Sequence, residues 1–195
     1  MSHQRLRMML WVLVAIAAIG GLILALQRPS DVSSQQMATI GGPFTLTGSD
    51  GKPFPSSRLN GKPAAIFFGF THCPDVCPTT LARLTKLRRQ LDKGDQALSI
   101  VFITVDPERD GPAEVGTYAS LFGAPVVGLT GSVADIERVK KQFGAFSEKV
   151  DQPGGGYSVD HTASVFLMDR NGQFVATLAP EESDGIALAK LKRLG

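Results

Sequence analysis

A chain of 195 residues with 20 basic and 18 acidic side chains has the size of one domain, and its formal charge of +2 is close to neutral. Three of the arginines, Arg5, Arg7 and Arg28, flank one apolar run near the amino end; without them 17 basic residues face 18 acidic ones. That balance, with no basic run, excludes an electrostatic footprint for nucleic acid and a polybasic patch for lipid headgroups.

The apolar run, Met8 to Leu26, is 19 residues without a charge. At ~1.5 Å per residue it spans ~28 Å, close to the hydrocarbon core of a bilayer. It is longer than the ~7–15-residue core of a cleavable signal, and no A-x-A site follows it. No cysteine follows closely, which rules out a lipoprotein anchor. The expectation is an uncleaved transmembrane helix, residues 1–28 forming a tail and anchor. Arg5 and Arg7 place the amino end in the cytoplasm, with Arg28 a single opposing charge. Pro29–Gly42 is rich in Ser and Gln and reads as a linker that lifts a globular domain, 43–195, off the membrane.

Within that domain, Phe44–Thr47 followed by Asp50-Gly51 predicts a strand entering a tight hairpin. Ala64–Phe70 is a continuous apolar run, as expected of a strand covered on both faces. It ends at a loop carrying Cys73 and Cys77, the two cysteines of the chain. Pro78 fits the first turn of a helix, and Leu81, Leu84, Leu87 and Leu91 recur at helical spacing. Strands are predicted over Leu98–Val105, Val126–Leu129, Ser164–Met168 and Phe174–Leu178, the last two joined by an Asn171-Gly172 turn. Helices are predicted over Pro112–Phe122, over Val133–Phe143, and from Ser183 or Asp184 onward. This order gives an α/β fold with helices on both faces of a mixed sheet. A thiol pair at the carboxyl end of the first buried strand, running into a helix, is the thioredoxin-like arrangement, and sites in open α/β sheets lie at that edge.

Two close thiols can share one soft metal ion or cycle between dithiol and disulfide. The helix amino terminus favours thiolate. If the loop were helical, the i, i+4 spacing would set both sulfurs on one face with Cβ atoms ~5–6 Å apart, suiting one metal; a disulfide needs ~3.5–4.5 Å. C-x-x-x-C is one residue longer than the redox C-x-x-C, which tilts the reading to metal. A purely structural disulfide closing so short a loop would stabilise little. Outside the cytoplasm free thiols oxidise by default, so a working pair needs a metal, a reductant or both. The candidate third ligands are His72, His161 and, more weakly, Asp75 and Asp160. His72 points away from Cys73 in an extended segment. His161 precedes the strand expected beside the cysteine strand, and Gly154-Gly155-Gly156 upstream reads as a mobile loop able to carry it inward, or else as an ordinary surface hairpin. Two thiolates with an imidazole suit copper best and zinc next, and a structural zinc site usually takes four protein ligands. With Cu(I) the site would carry −1, with Cu(II) zero.

Three stretches together, GFTHCPDVCP at Gly69–Pro78, TVDPERDGP at Thr104–Pro112 and VDHTASVFLMD at Val159–Asp169, resemble the Sco/SenC family of membrane-anchored copper proteins. The resemblance implies a thioredoxin fold and copper, as Cu(I) or Cu(II), held by Cys73, Cys77 and His161. It also implies delivery to the Cu(A)-bearing subunit of cytochrome c oxidase from the periplasmic side of the inner membrane. Asp106 and Asp110 then shape their loop. The competing expectations are a thiol–disulfide oxidoreductase that reduces the oxidase subunit's cysteines before metallation, with Cys73 and Cys77 as redox groups, and a copper or redox sensor. Other periplasmic copper carriers or thiol reductants are further expected partners. One departure from ordinary thioredoxins favours metal: no proline occurs between Gly154 and Met168, where such enzymes place one opposite the thiols.

Overall fold

A computed structural model describes residues 3–26, 40–92 and 94–194. The chain divides into two units, one containing helix α1 (His3–Leu26) and the other running Thr39–Gly195. α1 has 24 residues, and its described apolar side chains, Trp11 and Ile16 among them, are exposed. Those side chains are described without a break only over 7–20. Among the described residues no helix is long and apolar enough to cross a membrane. A helix thus forms where the anchor is expected, without support here for the span itself. Arg28 and the expected linker, as far as residue 39, lie outside the described residues.

The second unit opens with a hairpin, β1 (Thr45–Gly48) and β2 (Pro53–Pro55), turned at Asp50-Gly51. Then follow β3 (Ala64–Gly69), α2 (Val76–Arg89), β4 (Ser99–Thr104), α3 (Pro112–Ser120), β5 (Val126–Thr130) and α4 (Val133–Phe143). The chain ends with β6 (Ser147–Asp151), β7 (Tyr157–His161), β8 (Val165–Met168), β9 (Phe174–Leu178) and α5 (Asp184–Lys192). Seven strands form one mixed sheet in the order β2-β1-β5-β4-β3-β8-β9. β3, β4 and β5 are parallel to one another, while β8 runs antiparallel to β3.

β3 is an inner strand of this sheet, between β4 and β8, and all six of its residues are buried. Strand alternation splits them between two layers. Phe67, paired in register with Phe102, faces α2 and α3, where Tyr118 packs on Phe102 at 5.1 Å. Phe68 faces the other way, onto Phe143 of α4 and Phe166 of β8 at 5.5 and 5.8 Å. Each such ring stabilises the fold by ~1.5–3 kcal/mol. The leucine periodicity of α2 buries Leu81, Leu84 and Leu87 completely, whereas Leu91 lies beyond the end of the helix. α4 starts and stops as its sequence dictates: Ser132 caps the amide of Asp135 at 3.1 Å, and Gly144 closes the helix at φ 65°. Arg83 and Lys86 of α2 both reach Asp184 at 2.9 Å and tie α5 to the same layer.

Of the two readings of the segment around Gly154-Gly155-Gly156, the mobile loop is corrected and the hairpin is the one formed. β6 and β7 pair antiparallel from Ser147↔His161 to Asp151↔Tyr157 as a separate two-stranded ribbon, and the three glycines turn its tip with φ between 79° and 101°. His161 is therefore the last residue of a strand.

Candidate metal centre

β3 delivers the chain to the edge of the sheet at Gly69 and Phe70, and α2 leaves it at Val76. Between them Asp75 adopts φ −140°, ψ −65°, so the helix starts only after the first cysteine. The i, i+4 helical face expected for the pair is thus not formed. Cys77 sits in the first turn of α2, fully buried, and Cys73 lies outside it, half-buried. Cys73 Sγ accepts the backbone N–H of Cys77 at 3.4 Å, so a sulfur stands where a capping oxygen usually does. Both thiols are free.

β7 supplies the third group. Tyr157, Val159 and His161 share one face of this strand by alternation, and Val159 is buried between the other two. His161 Nδ1 donates to the Thr162 carbonyl at 3.1 Å. A carbonyl only accepts, so Nε2 keeps its lone pair and meets Cys77 Sγ at 3.3 Å. Phe67 and Phe70 stand edge-on to the imidazole at 5.9 and 5.8 Å. Burial holds the imidazole pKa below its ordinary value, hence neutral and ready to ligate. Burial likewise pushes the Cys77 thiol up, only partly offset by a hydrogen bond to the Phe70 backbone.

The structure brings Cys73, Cys77 and His161 together, their donor atoms all within 4.8 Å of one another. Donors at ~2.0–2.3 Å around one cation lie within ~4.6 Å of each other, so the trio needs only slight closure to share an ion. The donor set is soft to borderline, suited to a thiophilic metal. The other candidates stay outside. His72 is exposed, its Nδ1 lying 3.1 Å from Thr71 Oγ1 and 3.6 Å from the Asp110 carboxylate. Asp75 is exposed and accepts from Thr79 at 3.2 Å. Asp160 is exposed, on the face of β7 opposite His161.

Asp110 does more than shape a turn. It is wholly buried and accepts from the Thr71 amide at 2.9 Å, from Thr71 Oγ1 at 2.6 Å and from Thr104 Oγ1 at 2.6 Å. Hydrogen bonds to a charged acceptor contribute ~1.5–3 kcal/mol each, so Asp110 anchors the start of the cysteine loop firmly. Sequence reasoning missed Thr71, Arg109 and Tyr157 as supports, and Gly69 as a spacer. The signal available was the pair of aspartates, Asp106 and Asp110, within Thr104–Asp110; partners such as Thr71 and Tyr157 are distant in sequence. At Gly69 an added Cβ would lie 2.7 Å from Cys77 Sγ, so β3 can pass this close to the thiol only without a side chain.

Comparison with known proteins follows the same lines. The SCO1/SenC family profile matches residues 32–195. The mitochondrial protein SCO2 of Saccharomyces cerevisiae is 39% identical over 156 residues, covering 78% of this chain and 52% of the yeast protein, so the match spans about half of that relative. Copper-bound ScoI of Bradyrhizobium japonicum superposes with a TM-score of 0.72 at 44% identity, over 80% of this chain and 99% of ScoI. BsSco, a member of the Sco family of cytochrome c oxidase assembly proteins in which a disulfide switch has been identified, superposes with a TM-score of 0.62 at 27% identity, over 79% and 91% of the two chains.

Proposed function

Since the chain belongs to the SCO1/SenC family, we propose that it is a copper chaperone of cytochrome c oxidase assembly, holding copper as cargo on Cys73, Cys77 and His161 and delivering it to the Cu(A)-bearing subunit. The observation that carries this reading is the convergence of two sulfurs and one imidazole nitrogen within 4.8 Å, on a fold shared with copper-bound ScoI. The unequal burial of the thiols suits hand-over. Cys77 is enclosed, while Cys73 is open enough for a partner's thiolate to replace it first. Residues 1–28 then serve as the anchor and 29–42 as the linker, placing domain 43–195 on the periplasmic side of the inner membrane. The apolar run Met8–Leu26 and the arginines before it support that placement.

The deciding experiment loads the detergent-solubilised, reduced full chain with Cu(I) or Cu(II) and compares it with His161→Ala. The wild type is expected to bind one copper per chain. The variant should lose affinity by more than the ~10–100-fold that removing a ligand's own hydrogen-bond partner costs. Equal affinity in the two would end the ligand assignment.

Proton competition provides a second check. The Cys77 thiol, raised by burial, carries its proton through neutral pH, and copper must displace it. Loading therefore releases protons, and Cu(I) affinity should rise by about tenfold per pH unit for each thiol proton released between about pH 6 and 8. Affinity flat across that window, measured by chelator competition, would contradict it.

The half-buried Cys73 thiol also favours a second reading, a dithiol that reduces the oxidase subunit's cysteines before metallation. His161→Ala separates the two, because dithiol exchange survives the loss of the imidazole.

A further inference from the structure

The loop from Val105 to Asp110 touches both halves of the site through different side chains. On the thiol side, Asp110 holds Thr71, two residues before Cys73, by its amide and its hydroxyl. On the imidazole side, Asp106 is wholly buried and accepts the Tyr157 hydroxyl at 2.9 Å. Arg109 is paired with the Asp106 carboxylate, donates to the Tyr157 carbonyl at 3.0 Å and lies over the Tyr157 ring at 3.8 Å. The same guanidinium approaches the Phe70 ring at 5.8 Å, beside the imidazole. Outside these contacts Glu108 pairs with Lys149 of β6, whose ammonium also lies 4.6 Å from the Tyr157 ring.

The β6–β7 ribbon hydrogen-bonds to no strand of the main sheet. Its position over the thiols is therefore set by the short chain from His161 into β8 and by contacts made outside the ladder, those at Tyr157 foremost. Tyr157 and His161 lie on one face of β7, four residues apart, which is ~13 Å along a strand. Fixing Tyr157 at one end fixes where His161 stands at the other. We infer that Val105–Asp110 is a two-armed brace that sets the sulfur-to-imidazole spacing, Asp110 positioning the thiols through Thr71 and the Asp106–Arg109 pair positioning His161 through Tyr157.

The inference rests on the copper reading above and adds two positioning residues to it, Tyr157 and Thr71, neither of which touches the metal donors. Two variants probe the arms separately in the full chain. Tyr157→Phe keeps the ring under Arg109 and removes only the hydroxyl. Thr71→Val keeps the shape of the side chain and removes its hydroxyl, which donates to Asp110 and touches His72 Nδ1, while the amide bond to Asp110 stays.

The measurements are Cu(II) affinity, the nitrogen coupling in the Cu(II) spin-resonance spectrum, the alkylation rate of Cys73 in the reduced copper-free protein, and the melting temperature of that form. Tyr157→Phe is expected to lower Cu(II) affinity by about three- to tenfold, the effect of one lost hydrogen bond, and to alter the nitrogen coupling. Its Cys73 alkylation rate should stay at the wild-type value. Thr71→Val is expected to change the alkylation rate by about threefold or more and leave the nitrogen coupling in place. Wild-type affinity and coupling in Tyr157→Phe would overturn the brace. So would two variants that disturb both readouts in proportion to their loss of melting temperature, since that is the mark of a merely structural loop. A wild-type chain that takes up no copper would instead fail the underlying reading.

Discussion

Cys77→Ser is expected to abolish useful copper binding, lowering Cu(I) affinity by about a thousandfold or more, ~4 kcal/mol. A hydroxyl is a hard, weakly acidic donor where a soft thiolate is required. The replacement also carries a structural cost that its partner lacks. Cys77 is completely enclosed by the core, and its sulfur behaves there as a small apolar group. A hydroxyl in that position loses water without a new partner of equal quality, costing ~1–3 kcal/mol. Cys73→Ser should show a comparable loss of copper with little change in stability, because that side chain is only half-buried. Chelator competition together with melting of the copper-free protein tests both halves. The assignment is lost if Cys77→Ser holds Cu(I) within about threefold of the wild type.

Gly69→Ala, a single added methyl group on β3, is expected to damage both the fold and the centre. The new Cβ would stand 2.7 Å from Cys77 Sγ, 3.0 Å from Phe102 and 3.1 Å from Phe67. Both rings are completely buried and cannot withdraw. Overpacking of this kind costs ~1–3 kcal/mol. The sulfur is the nearest of the three neighbours, and a shift there is expected to disturb its 3.3 Å contact with the imidazole. Gly128→Ala is the control, because its Cβ would clash at 2.6 Å with the Val115 carbonyl, in the α3–β5 packing. Both variants should melt lower, but only Gly69→Ala should also bind copper more weakly per folded molecule, by about tenfold or more. Equal copper affinity in the two variants would show that the close approach at Gly69 serves packing alone.

How far the chain announced all this depended on the distance over which each signal acts. β3 was legible because a strand buried on both faces must be apolar throughout, and AAIFFG is. α4 was legible to the residue because Ser132, Phe143 and Gly144 are local start, face and stop signals. The β6–β7 ribbon was not. Its two strands, SEKVD and YSVDH, bury only Val159, so they carry no alternation to read, and the glycines fitted a loop as well as a hairpin. The cysteine pair and its closeness were legible, but whether the stretch was helical was not, since the backbone of Asp75 rather than residue spacing decides where α2 begins. Asp110 looked like a turn residue because Thr71, which it holds, lies 39 positions away.

The contact between Cys77 and His161 joins residues 84 apart in sequence. Both sulfurs therefore leave the ribosome well before the nitrogen that completes their set. A nascent chain carries a thiol pair without a third donor until β7 has been made and laid against the loop after β4. The full donor set thus exists only once synthesis and folding have reached β7, with β8, β9 and α5 still to follow.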